Sequence, residues 1–154
     1  MSKSWKNFAA WSDTQDKPAG IVVCLNENEQ ILIIRRSSTD PHGRAGQWTV
    51  PGGHIDDDDT SIEAGAAREL KEETNLVCET GAFQYLGELK DGKYYFLATK
   101  WSGEVDVSIP NPKTGFIEHD DYKWASISDI KDIDNTEIPI YLLEKALEMS
   151  KNVK

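Results

Sequence analysis

The chain has 154 residues, 38% of them hydrophobic and 29% charged, a size and composition that fit one ordinary globular domain. Its 17 Lys and Arg stand against 27 Asp and Glu, a formal net charge of −10, which argues against general affinity for nucleic acid or anionic membrane because a phosphate footprint needs basic clusters. No stretch approaches the roughly 18–20 apolar residues that span a bilayer, and the polar, aromatic start of the chain carries no apolar segment of the secretory kind, so a cytoplasmic protein is expected.

Residues 1–17 read as an N-terminal arm and residues 18–154 as a single domain. Apolar density rises at 20–25 and again at 30–36, two strand candidates joined by Asn26-Glu27-Asn28-Glu29, which has the turn chemistry of a hairpin. A polar loop over 37–46 leads to a short strand at 47–50, stopped by Pro51-Gly52-Gly53. The strongest helix signal covers 61–74: a capping box Thr60-x-x-Glu63 opens it and Ile62, Ala66 and Leu70 form its apolar stripe. Asn75 stands where a left-handed residue ends a helix. Strands are expected at 76–79, 84–90 and 93–101, with Asp91-Gly92 as a hairpin turn. After a loop with Pro110, Pro112 and Gly115 come a short strand near 122–125 and an amphipathic helix over 139–150. Cys24 and Cys78 lie in apolar runs and read as buried reduced thiols, and His42, His54 and His119 share no zinc-binding spacing. The pattern is mixed α/β.

The 61–74 helix violates its own local rules. Glu69 stands three residues before Glu72 and four before Glu73, so three carboxylates share one face. Like charges at those spacings cost about 0.2–0.5 kcal/mol each, and they crowd the negative end of the helix dipole. A solvated acidic face would explain them, and so would a seat for a hard divalent cation such as Mg²⁺ or Mn²⁺.

Residues Gly53 to Leu76, G-H-I-D-D-D-D-T-S-I-E-A-G-A-A-R-E-L-K-E-E-T-N-L, closely resemble the signature of the Nudix hydrolases, G-x5-E-x7-R-E-U-x-E-E-x-G-U, where U is a bulky aliphatic residue. The R-E-L-x-E-E core is intact at Arg68, Glu69, Leu70, Glu72 and Glu73. Gly53 to Arg68 is one residue longer than the pattern, Asp59 or Thr60 replaces its first Glu, and Asn75 replaces its last Gly. The likeness extends to Trp48-x-x-Pro51-Gly52-Gly53, to the strand ending Arg35-Arg36, and to the acidic segment from Glu118 to Trp124.

The resemblance implies a MutT-like fold, an α/β/α sandwich with mixed β-sheet between helices. It implies metal-dependent hydrolysis of a nucleoside diphosphate linked to another moiety, with a (d)NTP, ADP-ribose or a dinucleoside polyphosphate as candidate substrates. Glu69, Glu72, Glu73, Glu118 and the backbone of Gly53 are the implied metal ligands, with Glu72, Glu69 or Glu118 supplying the base and Asp120 and Asp121 competing with Glu118. Arg68 and Gly52 support the site. Arg36, with Arg35 as fallback by strand parity, and Trp48 are the implied substrate contacts; Arg44 and His42 sit in the loop before Trp48. The run Asp56–Asp59 fails the EF-hand pattern, with Ser61 and Ala67 at the positions that need Gly and Glu, and reads as a solvated loop. A non-catalytic nucleotide- or protein-binding module is the competing reading. RNA 5′-end hydrolysis finds little support in the charge balance, and monomer and homodimer both fit.

Overall fold

The computed structural model describes residues 18–38, 44–89, 92–133, 136 and 138–151. The 1–17 arm, His42 and Asp91 of the expected 91–92 turn lie outside them. In chain order the elements are β1 (Ala19–Cys24), β2 (Ile31–Arg36), β3 (Trp48–Thr49), β4 (Gly52–His54), α1 (Ile62–Thr74), a 3₁₀ turn (Thr80–Ala82), β5 (Gln84–Leu89), β6 (Lys93–Ala98), β7 (His119–Ala125), α2 (Ile127–Lys131) and α3 (Ile140–Lys151).

The strands form two sheets. One is mixed, in the order β4-β1-β6-β5, with β1 and β6 parallel; the other is antiparallel, in the order β3-β2-β7. The Asn26–Glu29 turn closes as its chemistry suggests, with the Glu29 N–H donating to the Asn26 carbonyl (3.1 Å) and the Asn26 N–H to that of Gln30 (2.9 Å). The hairpin beyond it does not form: after the single Leu25–Ile31 bridge, β1 pairs with β4 and β6 while β2 pairs with β3 and β7.

Both faces of β1 are covered, which explains its unbroken apolar run. Val22 and Cys24 pack with Ile62, Ala66 and Leu70 of α1, while Val23 and Leu25 pack with Leu142, Leu143 and Ala146 of α3. This is the expected mixed sandwich. No helix formed by the described residues is long and apolar enough to cross a membrane.

Local differences have local causes. Ser61, not Thr60, caps α1: its hydroxyl accepts from the Ala64 N–H at 3.0 Å, so Glu63 falls at the second helical position and the expected box is not made. Asn75 takes the left-handed conformation (φ 70°) and ends the helix as anticipated. β3 ends before Pro51 as expected, but Gly52 and Gly53 then open a further strand, β4, placed opposite Ile21 and Gly20. The 76–79 strand is reduced to one bridge, Val77–Ser102. Cys24 and Cys78 are buried free thiols.

The seat of α1 on β1 is tight. A Cβ added at Gly20 would lie 2.7 Å from the Ala66 Cβ, and one at Gly65 would lie 2.4 Å from the Ile55 Cδ1. Small residues at 20, 65 and 66 bring the helix down onto the sheet and set the height of its carboxylates.

Candidate active site

Beside the C-terminal half of α1 is a cavity of about 870 Å³. Glu69, Glu73 and Glu118 share its wall with Gly52, Gly53, Arg36, Arg44 and Lys93, and Ile21, Tyr95, Phe116 and Ile117 line its apolar part. The helix spacing predicted from the sequence thus places Glu69 and Glu73 one turn apart, facing a glutamate 45 residues further along the chain.

Each of the three residues is placed by its neighbours. The Gly52 N–H donates to Glu73 Oε1 at 2.9 Å. Gly53 leaves room for Glu69, since a Cβ there would stand 2.6 Å from the Glu69 Cδ. The Ser37 N–H donates to the Glu118 carbonyl at 2.9 Å, tying that residue to the end of β2.

The arrangement is electrostatically costly. Burial lifts the Glu69 carboxyl to about 7; Arg68 opposes the rise, and the charges of Glu72 and Glu118 add to it. Burial likewise pushes Glu73 well above the ordinary carboxylate range, helped by Glu69 and Glu118 and resisted by the Gly52 N–H and Arg36. Donor atoms of Glu73, Glu118 and His119 all lie within 4.8 Å of one another. Three carboxylates kept together against their mutual repulsion, with hard oxygen donors aimed at one space, fit a divalent cation.

Arg68 organises the back of the site. Its Nε and Nη2 donate to the two oxygens of Asp59 (3.0 and 3.1 Å), its Nη1 to Glu72 (3.1 Å), and its Nη2 also to the His54 carbonyl (3.1 Å); Nη1 lies 3.3 Å from Glu69. Burial works against this charge, but the bonds to Asp59 and Glu72 and the nearby Glu69 outweigh it and hold the guanidinium above its ordinary value. Asp59 corrects the reading of 56–59 as one solvated run: it is 7% exposed and also accepts from the Asp56 N–H at 2.7 Å. Asp57 and Asp58 are the exposed members. Arg68→Ala would leave the Asp59 charge buried without its partner and is expected to lower stability by about 3 kcal/mol, measured by urea unfolding.

Arg35 and Trp48, expected as substrate contacts, fall away from the cavity, and Glu72 lies beside its wall rather than on it. Arg35 and Trp48 line a separate, shallower surface depression. Consecutive residues of a strand face opposite ways, so Arg36 points to the cavity while Arg35 turns to Asp120 (2.7 Å) and lies 5.7 Å from the Trp48 ring centroid. Glu72 is not among the cavity-lining residues and stands beside Glu69 through their shared contact with Arg68. Sequence reasoning missed His119, whose only signal was its place next to Glu118. It also missed Lys113, which pairs at 2.6 Å with Asp56 of the cavity wall.

An acidic helix, a Gly-Gly strand and a distant glutamate converge on one cavity, the arrangement that the resemblance to hydrolases of phosphoric anhydride bonds implies. A family model described as NUDIX domain matches residues 15–145, and the chain belongs to that family. It is 29% identical over 126 residues to the phosphatase NudJ of Escherichia coli K12, covering 80% of this chain and 78% of that one. It is 28% identical over 143 residues to an RNA pyrophosphohydrolase of Bartonella tribocorum, covering 76% and 79%. Among solved structures, a MutT protein from Methanosarcina mazei superposes with a TM-score of 0.59 at 26% identity, covering 92% of this chain and all of that one.

Proposed function

We propose that the chain is a metal-dependent pyrophosphohydrolase that cleaves a nucleoside diphosphate linked to a further group, acting on a small cytoplasmic nucleotide rather than a polynucleotide. The observation that carries this reading is the meeting of Glu69, Glu73 and Glu118 with Arg36 on one cavity wall. The net charge of −10 favours a small substrate over RNA.

Glu69, Glu73 and Glu118 would hold Mg²⁺ or Mn²⁺, with Glu72 as the fourth carboxylate of the set and the backbone at Gly53 beside them. When bound, the ion neutralises phosphate oxygens and acidifies a water. Arg36 binds a phosphate oxygen, and Arg44 and Lys93 add positive charge along the same walls. Glu118, exposed to the cavity, takes the proton of the attacking water, while Arg68 keeps Glu69 and Glu72 in place. The apolar rim formed by Ile21, Tyr95, Phe116 and Ile117 receives the base.

The test is turnover of a panel containing dNTPs, an oxidised guanine nucleotide, ADP-ribose and diadenosine polyphosphates, each with Mg²⁺, with Mn²⁺ and with chelator. Metal-dependent release of a nucleoside phosphate from one member is the expected result and names the substrate. Nucleotide binding without turnover under every condition would replace this reading with the binding-module one.

A further inference from the structure

One potential metal donor beside Glu73 and Glu118 is not a carboxylate. His119 opens β7 and is 3% exposed, yet a ring nitrogen lies within 4.8 Å of carboxylate oxygens on both Glu73 and Glu118. A slip in the strand pairing brings it there. Arg35 faces Asp121 across the β2–β7 ladder, but Arg36 faces His119, so Asp120 is an extra residue. Such bulges re-aim the side chains beside them. Without the slip Asp120 would stand opposite Arg36; instead Asp120 turns out to pair with Arg35.

We propose that His119 is a nitrogen ligand to the same ion as Glu73 and Glu118, making the site a mixed nitrogen–oxygen one that prefers Mn²⁺ and the later first-row ions over Mg²⁺. This rests on the metal-dependent reading above. Mg²⁺ favours all-oxygen octahedra and gives up its water reluctantly, whereas an imidazole nitrogen raises the affinity of a site for transition ions. Burial of the ring fixes its orientation, so the nitrogen is positioned before the ion arrives. The glutamates of the box contribute only oxygen donors, and its His54 lines the cavity but stands outside the group that Glu73, Glu118 and His119 form.

The test uses the full chain loaded with Mn²⁺. Pulsed EPR is expected to show the ¹⁴N modulation of a coordinated imidazole, replaced by the ¹⁵N pattern when histidine is ¹⁵N-labelled, an observation that needs no variant. His119→Gln is expected to abolish the modulation and weaken Mn²⁺ binding by at least about tenfold, with Mg²⁺ binding, read by competition, changing less; His54→Gln retains the modulation. Bound Mn²⁺ with no nitrogen modulation in the unaltered chain overturns the His119 assignment and leaves the metal-dependent reading standing. Modulation that survives His119→Gln but is lost in His54→Gln overturns the assignment in favour of His54. Failure to bind Mn²⁺ at all overturns both.

Discussion

Glu73→Gln is expected to lower kcat/KM by about a hundredfold or more while raising the melting temperature of the metal-free protein. The two effects have one origin. Glutamine has nearly the same shape and can still accept the Gly52 N–H that Glu73 accepts at 2.9 Å, so the loop has no reason to move. What disappears is a negative charge crowded against Glu69 and Glu118. That charge destabilises the empty fold, and in the proposed mechanism it holds the ion. A variant that loses activity and gains stability marks a group kept for function at a cost to the fold; one that loses both would mark Glu73 as an ordinary structural residue. Steady-state kinetics and thermal unfolding in chelator, run on the same preparations, separate the two.

Metal-free protein is expected to become less stable as pH rises from about 4.5 to about 7, the reverse of the behaviour of carboxylates held in ion pairs. Glu69 loses its proton near 4.5 when unfolded but only near 7 in the fold. Between those values the folded chain binds the extra proton, so unfolding releases it and a rise in pH favours the unfolded state. The stability is fully present below the unfolded value and is lost as pH passes through the folded one. At about 1.4 kcal/mol per pH unit the Glu69 contribution is on the order of 3 kcal/mol, or several degrees in melting temperature; Glu73 acts in the same direction. Saturating Mn²⁺ should reverse the trend, because ligands bind the ion only when deprotonated. Thermal melts at pH 5 and pH 8, with chelator and with Mn²⁺, give the four values needed. A metal-free protein more stable at pH 8 would show that the carboxylates do not repel one another as their positions imply.

The parts of this site that could be read in the sequence are those fixed by short-range rules. The apolar stripe Ile62-Ala66-Leu70 and the left-handed Asn75 delimit α1, and helical spacing alone puts Glu69 and Glu73 on one side. What could not be read depends on partners far along the chain. The Asn26–Glu29 turn says nothing of whether β1 will prefer β6 to β2, since that choice is made by the parallel ladder from Ala19–Lys93 to Cys24–Ala98. Arg35 and Arg36 are equivalent as text, and only the strand's orientation sends one to the cavity and the other to Asp120. The four aspartates 56–59 also look alike, and the path of the loop selects Asp59 for Arg68. Gly52-Gly53 resembled a break because glycine weakens a strand; here the same lack of side chains lets β4 lie against β1 with Glu69 above it.

The close seating of α1 on Gly20 of β1 divides the molecule into a part that cannot drift and a part that can. A methyl group added at Gly20 would lie 2.7 Å from the Ala66 Cβ and 3.0 Å from its Cα, backbone that cannot step aside, so mutation there is expected to lift the helix and carry its carboxylates away from Glu118. Thr114, Phe116 and Ile117 of the cavity lining are exposed, and of their neighbours the left-handed Gly115 (φ 76°) resists substitution. On the proposed reading, the rim that receives the variable half of a substrate can therefore change while the bed on which the chemistry rests stays in place.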